Sequence, residues 1–146
     1  HREGSTNCYF VTTNIDRRKS LLSDRGLASK VVEAIYFLRR KGRFRLHAFV
    51  LMPDHLHLIC SPLSNHGLPS IVHSLKSYTA KELNREMGKT GKVWQSGYYS
   101  YAIRGLRDLE EKVRYVWENP LRRGLVERPE DYPFSSANGR HEIDRW

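Results

Sequence analysis

Apolar positions change their period several times along the chain, and each change marks an element. Tyr9-Phe-Val-Thr-Thr13 is aromatic and β-branched, the composition of a strand. Asn14 to Ser20 is polar and reads as a loop. From Asp24 to Lys41 the apolar residues Leu27, Val31, Ala34, Ile35 and Leu38 recur at helical spacing, with Asp24 as a cap and Gly42 as a stop. Arg43 to Leu51 and His55 to Ser61 are two further strands, split by Pro53-Asp54 into a hairpin. Pro69 to Met87 is a second helix, with Ile71, Val72, Leu75, Tyr78, Thr79 and Leu83 on its apolar stripe. After the turn Gly88-Lys-Thr-Gly91, Tyr98 to Ile103 is a fourth strand. Asp108 to Asn119 is a third helix with acids in its first turn. Pro120 disfavours helix at the residue before it, so this helix is expected to stop near Asn119. The tail from Leu121 holds Pro129 and Pro133 and is expected to be irregular. Residues 1–7 are polar and expected to fray.

The order β-α-β-β-α-β is the split βαβ, or ferredoxin-like, pattern. It predicts one α+β domain over residues 1–146, with an antiparallel sheet and helices on both faces. The first two helices cover one face. The third helix is the long element left for the other.

Composition narrows the function. The chain has 146 residues, enough for one domain with a real core. No stretch approaches the roughly 20 apolar residues of a membrane span. The first residues lack a charged-then-apolar-then-small pattern, so no secretory signal is expected. Cys8 and Cys60 are far apart and in no CxxC spacing, which argues against a structural zinc site and a disulfide framework. Both are expected to be buried small residues in a reduced, cytoplasmic setting. The net charge of +9 points to a polyanionic partner, nucleic acid above all, against the alternative of a merely soluble basic protein.

The candidate chemistry begins at Met52-Pro-Asp-His-Leu-His57. On a strand, His55 and His57 share one face and Leu56 and Leu58 the other. Two adjacent imidazoles on a rigid strand make half of a metal site, or else two polar residues on a wet face. Tyr115 and Asn119 lie on one side of the third helix, being one turn apart. If that helix crosses the sheet, the Asn119 amide oxygen can join both imidazoles around Mg²⁺ or Mn²⁺, with positions left open for a substrate oxygen. Tyr115 would stand beside the cation as a nucleophile on phosphorus, giving a covalent phosphotyrosine. A helical tyrosine is otherwise more often part of a core. Asp54 reads first as a turn former, with orientation of an imidazole as the second reading. His47 and His73 read as structural.

His55-Leu-His57 resembles the HUH motif of single-strand DNA nucleases. Met52-Pro-Asp-His-Leu-His57, Trp94-Gln-Ser-Gly-Tyr-Tyr99, Arg114-Tyr-Val-Trp-Glu-Asn-Pro120 and Gly124-Leu-Val126 together resemble the IS200-like Y1 transposases, and among them the REP-associated tyrosine transposases. The likeness covers residues 5 to about 138. It implies Tyr115 as nucleophile and His55, His57 and Asn119 as metal ligands. The IS200 transposases usually carry Gln where this chain has Asn119, so the shorter side chain requires the helix closer to the sheet. The resemblance further implies a bacterial, nucleoid-associated enzyme. It would cut and rejoin single-stranded DNA at hairpin-forming palindromes, leaving a 5′-phosphotyrosine and a free 3′-OH. For the REP-associated branch the substrate would be repetitive extragenic palindromes with a guide tetranucleotide. The branch implies a monomer, with a helix-swapped dimer as the alternative.

For DNA contacts the candidates are Arg17, Arg18, Lys76, Arg104, Arg122 and Arg123, each of which has a plain solvated reading beside it. Trp94, Tyr98 and Tyr99 are candidates to stack unpaired bases, with core packing as the alternative for Trp94. Two other functions fit parts of the pattern. A non-catalytic RRM-like nucleic-acid-binding module shares the fold but would carry aromatic strand motifs that are not evident. A zinc hydrolase built on His55 and His57 lacks a third His or carboxylate at ligand spacing.

Overall fold

The computed structural model describes residues 7–63 and 65–146. Apart from Asn7, the expected fraying of residues 1–7 falls outside them. Strands β1 (Tyr9–Asn14), β2 (Phe44–Met52), β3 (His55–Pro62) and β4 (Tyr99–Ala102) form one antiparallel sheet in the order β2-β3-β1-β4. Helices α1 (Arg25–Arg40) and α2 (Leu68–Met87) lie on one face and α3 (Leu106–Arg122) on the other. This is the expected ferredoxin-like architecture. Among the described residues no helix is long and apolar enough to cross a membrane.

The two cores follow from the alternation of each strand. Val11, Leu56, Leu58 and Cys60 join Leu27, Val31, Ile35, Ile71 and Leu75 under α1 and α2. Phe10, Val50 and Ile59 turn the other way and meet Leu109 and Val116 of α3. Asp24 caps α1 by accepting the Leu27 N–H at 3.0 Å. Gly88 ends α2 in the left-handed region, at φ 65°. Cys8 and Cys60 are free and buried, as expected.

Two expectations are corrected. Tyr78 is off the α2 core and 46% exposed, stacked on Phe37 of α1 with ring centroids 6.0 Å apart. The third helix does not stop at Asn119 but runs through Pro120 to Arg122. Pro120 cannot donate to the Val116 carbonyl, so the helix gives up one hydrogen bond there, and the proline ring is buried. The carbonyls of Asn119 and Pro120 still accept from Arg123 at 3.1 Å and Leu125 at 2.9 Å.

The tail is irregular in backbone yet fixed along β2. Ser136 N–H donates to Phe49 O at 2.9 Å and Leu51 N–H to Phe134 O at 2.9 Å. Further on, Asp144 N–H donates to Leu46 O at 2.7 Å, and Leu46 N–H returns to Asp144 Oδ2 at 2.8 Å. Arg39 of α1 grips the same carboxylate through Nε at 2.9 Å and an Nη at 2.7 Å.

Removing that carboxylate leaves a half-buried guanidinium and a strand N–H unpaired. Asp144→Ala is therefore expected to lower stability by about 2–4 kcal/mol in urea melts at pH 7. The Arg39 hydrogen bonds hold the Asp144 carboxyl below the ordinary carboxylate range. A depressed folded value means that the contribution is complete above the unfolded pKa of about 4 and is lost as pH falls through the folded value. The gap between wild type and variant should accordingly narrow at pH 3 and below. A gap that ignores pH would assign the loss to packing alone.

Candidate active site

His55 opens β3 and His57 follows on the same face. Their Nε2 atoms lie 3.2 Å apart, and both residues are buried. The opposite nitrogens are held from behind. The His55 Nδ1–H donates to Asp54 Oδ1 at 2.7 Å, and His57 Nδ1 is hydrogen-bonded to Thr12 Oγ1 of β1 at 2.8 Å. Arg18 closes the far side of Asp54 with an ion pair of 3.0 Å. Arg17 and Arg18 both sit at positive φ, 59° and 54°, which is uncommon for residues with a side chain.

Burial lowers the pKa of both imidazoles. For His57 the nearby charges of His55, Arg122 and Arg18 add to it and bring the value down to about 3. For His55 the Asp54 carboxylate offsets part of the burial. Burial opposes the Asp54 charge, but His55 and Arg18 outweigh it and hold that carboxyl low. At neutral pH both rings are neutral and Asp54 is ionised.

Helix α3 crosses this face. Val116 and Leu109 anchor it in the core, and the adjoining side of the helix carries Glu111, Tyr115 and Asn119 along the open part of the sheet. The Tyr115 ring lies 5.6 Å from that of His57 and 5.9 Å from that of Phe10, both edge to face. Arg122 lies over the Tyr115 ring at 4.4 Å and donates to the Tyr115 carbonyl at 2.7 Å. Tyr115 remains 45% exposed, so its hydroxyl is reachable.

Two compartments adjoin at Thr12, His57 and Tyr115. The first, about 400 Å³, is lined by Thr12, Asn14, Arg18, His55, His57, Tyr115, Asn119, Arg122 and Arg123. The second, about 560 Å³, is lined by Phe10, Thr12, His57, Tyr99, Glu111, Lys112 and Tyr115. Of the expected site residues, His55, His57, Tyr115, Asn119, Arg18, Arg122 and Arg123 thus meet at the first, and Tyr99 joins His57 and Tyr115 at the second. Arg17, Lys76, Tyr98 and Arg104 line neither. Lys76 and Tyr98 border a separate groove along α2, where the Lys76 ammonium donates to the carbonyls of Gln95 and Gly97. Arg104 donates to the Tyr101 hydroxyl at 3.2 Å in the turn before α3. Trp94 takes the core-packing alternative and not the stacking one: it is buried, and its Nε1–H donates to Thr79 Oγ1 at 2.8 Å.

Sequence reasoning missed Thr12, Asn14 and Phe10. Their signal was the pairing register, which sets Thr12 opposite His57 and Asn14 opposite His55. Asp54, read first as a turn former, does orient the imidazole.

The donor set fits a small divalent ion. Two imidazole nitrogens about 2.0–2.1 Å from one ion, at right or tetrahedral angles, stand about 2.9–3.4 Å apart. The observed 3.2 Å lies in that window, and hydrogen bonds behind each ring aim the lone pairs forward. No group of three or more His, Cys, Asp or Glu suited to a metal occurs among the described residues, so a third donor has to be another oxygen. The Asn119 side-chain amide oxygen is a candidate. Asn119 is buried against the first compartment, and its side-chain amide makes no hydrogen bond among the described residues.

Comparison with known proteins gives the same direction. The family model described as "Transposase IS200 like" matches residues 5–119. The REP-associated tyrosine transposase of Escherichia coli K12 is 29% identical over 143 residues, covering 93% of this chain and 82% of the relative. A solved structure of a REP-associated tyrosine transposase bound to a REP hairpin superposes with a TM-score of 0.73 at 28% identity, over 100% of this chain and 89% of the other. A crystal structure from Deinococcus radiodurans, 20% identical with a TM-score of 0.55, shares the fold over 82% of this chain and 95% of that one.

Proposed function

The chain belongs to the IS200-like transposase family and is an enzyme, and from that premise we propose that it cleaves and rejoins single-stranded DNA beside a hairpin. The nucleophile is Tyr115 and the metal ligands are His55, His57 and Asn119. The observation that supports this most is the 5.6 Å approach of the Tyr115 and His57 rings within one chain. Nucleophile and imidazole pair need no second protomer to meet, which favours a monomer.

Each step follows from a side chain already placed. Arg18, Arg122 and Arg123 draw the scissile phosphate into the first compartment. Arg122 and Phe10 hold the Tyr115 ring from two sides, so the hydroxyl points at a fixed place. The Tyr115 oxygen attacks phosphorus, the Oη–P bond forms and the P–O3′ bond breaks. The phenol proton goes to solvent and the 3′ oxygen regains one. The reverse attack by a 3′-OH rejoins a strand and releases the tyrosine. When bound, Mg²⁺ or Mn²⁺ would supply positive charge to a phosphate oxygen as negative charge builds on it. By likeness to the relative solved with a REP hairpin, the substrate is a repetitive extragenic palindrome with a short guide beside it, met in the nucleoid of a bacterial cytoplasm. An RRM-like binding module is disfavoured because α3 covers the sheet face on which such a module stacks bases.

The test is to incubate the protein with single-stranded hairpin DNA and Mn²⁺, then denature and look for a DNA-linked band. An adduct that chelator prevents supports the reading. Hairpin binding with no adduct under any divalent metal overturns it. Asp54→Asn should leave the fold intact and weaken Mn²⁺ binding about 10- to 100-fold, because His55 loses the charge that orients it. Calorimetric titration of Mn²⁺ reads this directly, and an unchanged affinity would leave Asp54 as a turn residue only.

A further inference from the structure

The second compartment has no part in the steps above. It shares Thr12, His57 and Tyr115 with the phosphate compartment, yet its chemistry differs. Its floor is Phe10, whose ring stacks on His57 at 5.2 Å and meets Tyr99 and Tyr115 edge to face at 6.3 and 5.9 Å. Tyr99 is 57% exposed and forms the outer lip. The volume of about 560 Å³ lies within the range of small-ligand pockets and well exceeds one aromatic ring system. Aromatic walls with an open lip suit a flat, uncharged group.

The two wall charges are not equivalent. The Lys112 ammonium is committed to Asp108 at 2.9 Å and lies over the Tyr101 ring at 4.4 Å. Glu111 makes no hydrogen bond or ion pair among the described residues. It stands one helical turn before Tyr115, on the same side of α3. Its charge reaches Lys112 only through space, so its oxygens keep their lone pairs. Such a carboxylate beside a phosphate site repels backbone and accepts hydrogen bonds from base edges.

Resting on the nuclease reading above, we propose that this compartment receives one unpaired nucleobase immediately flanking the scissile phosphate, and that Glu111 selects its identity. The occupant follows from continuity. A phosphate held among Arg18, Arg122 and Arg123 has a base attached to each neighbouring sugar, and the apolar space adjoins that compartment at Thr12, His57 and Tyr115. The selection follows from donors. Cytosine and adenine offer an exocyclic amine and guanine an N1–H beside its amine. Thymine offers a single N3–H between two carbonyl oxygens, which a carboxylate repels. The pocket therefore discriminates against thymine.

The experiment uses the full chain with Mn²⁺ and a pool of hairpin DNAs whose single-stranded flanks are randomised. Protein-linked and released strands are sequenced on both sides of the cut. Wild type should deplete thymine at one flanking position at least about fivefold, the lower end for a single good base contact. Glu111→Gln and Glu111→Ala, at an exposed helix position, should both lose that depletion there and keep the selection at distant positions. A flanking position without preference, or one unchanged in both variants, overturns the pocket while the adducts uphold the nuclease. Absence of adducts across the whole pool overturns both.

Discussion

Tyr115→Phe is expected to form no detectable adduct with hairpin DNA, a loss of at least about a thousandfold, because the atom removed is the nucleophile itself. Hairpin affinity should stay within about threefold of wild type, since phosphate contacts from Lys and Arg supply most of it. The substitution is clean. The ring keeps its edge contacts with Phe10 and His57 and stays under Arg122, so little besides the hydroxyl changes. Gel-resolved adducts and fluorescence anisotropy read the two quantities separately. An adduct that survives would move the nucleophile elsewhere, Tyr99 being the other tyrosine lining a compartment here.

His57→Ala should be nearly as severe, with adduct yield down at least about a hundredfold across a Mn²⁺ titration. It takes one of two convergent nitrogens and leaves His55 alone. Wild type in chelator should fall to the same level while keeping its thermal stability, whereas the variant also loses the Phe10 stack and the Thr12 bond. Cleavage at the wild-type rate in either case would discard the metal from the mechanism.

How far these residues were legible beforehand depends on the range over which each is specified. The strands and helices show in the sequence because their apolar period is local: Leu27, Val31, Ala34, Ile35 and Leu38 all reach the core. The HUH pair and the Tyr115–Asn119 turn are short-range patterns too, and both arrive where the period puts them. Thr12 and Phe10 depend on which residue of β1 lies opposite His57, and register is a long-range property. Trp94 stayed open between stacking and packing for a related reason. An aromatic residue near a basic groove looks alike whether it faces solvent or a buried threonine, and only the hydrogen bond to Thr79 decides. Pro120 misled because a local penalty was smaller than the burial gained. The tail gave no warning, since its fastening runs through main-chain groups, the Ser136 and Tyr132 hydroxyls and the carboxylate of Asp144, none of which forms a periodic pattern.

That fastening bears on how two copies can come together. Phe134, Ser136 and Asp144 take up amides and carbonyls on the outer margin of β2 that an unoccupied strand would offer to a neighbour. A sheet continuing from one molecule into the next through β2 is closed while those residues stay in place. Pairing of two sheets edge to edge is left to β4 at the opposite margin, or has to begin with the last fifteen residues peeling away.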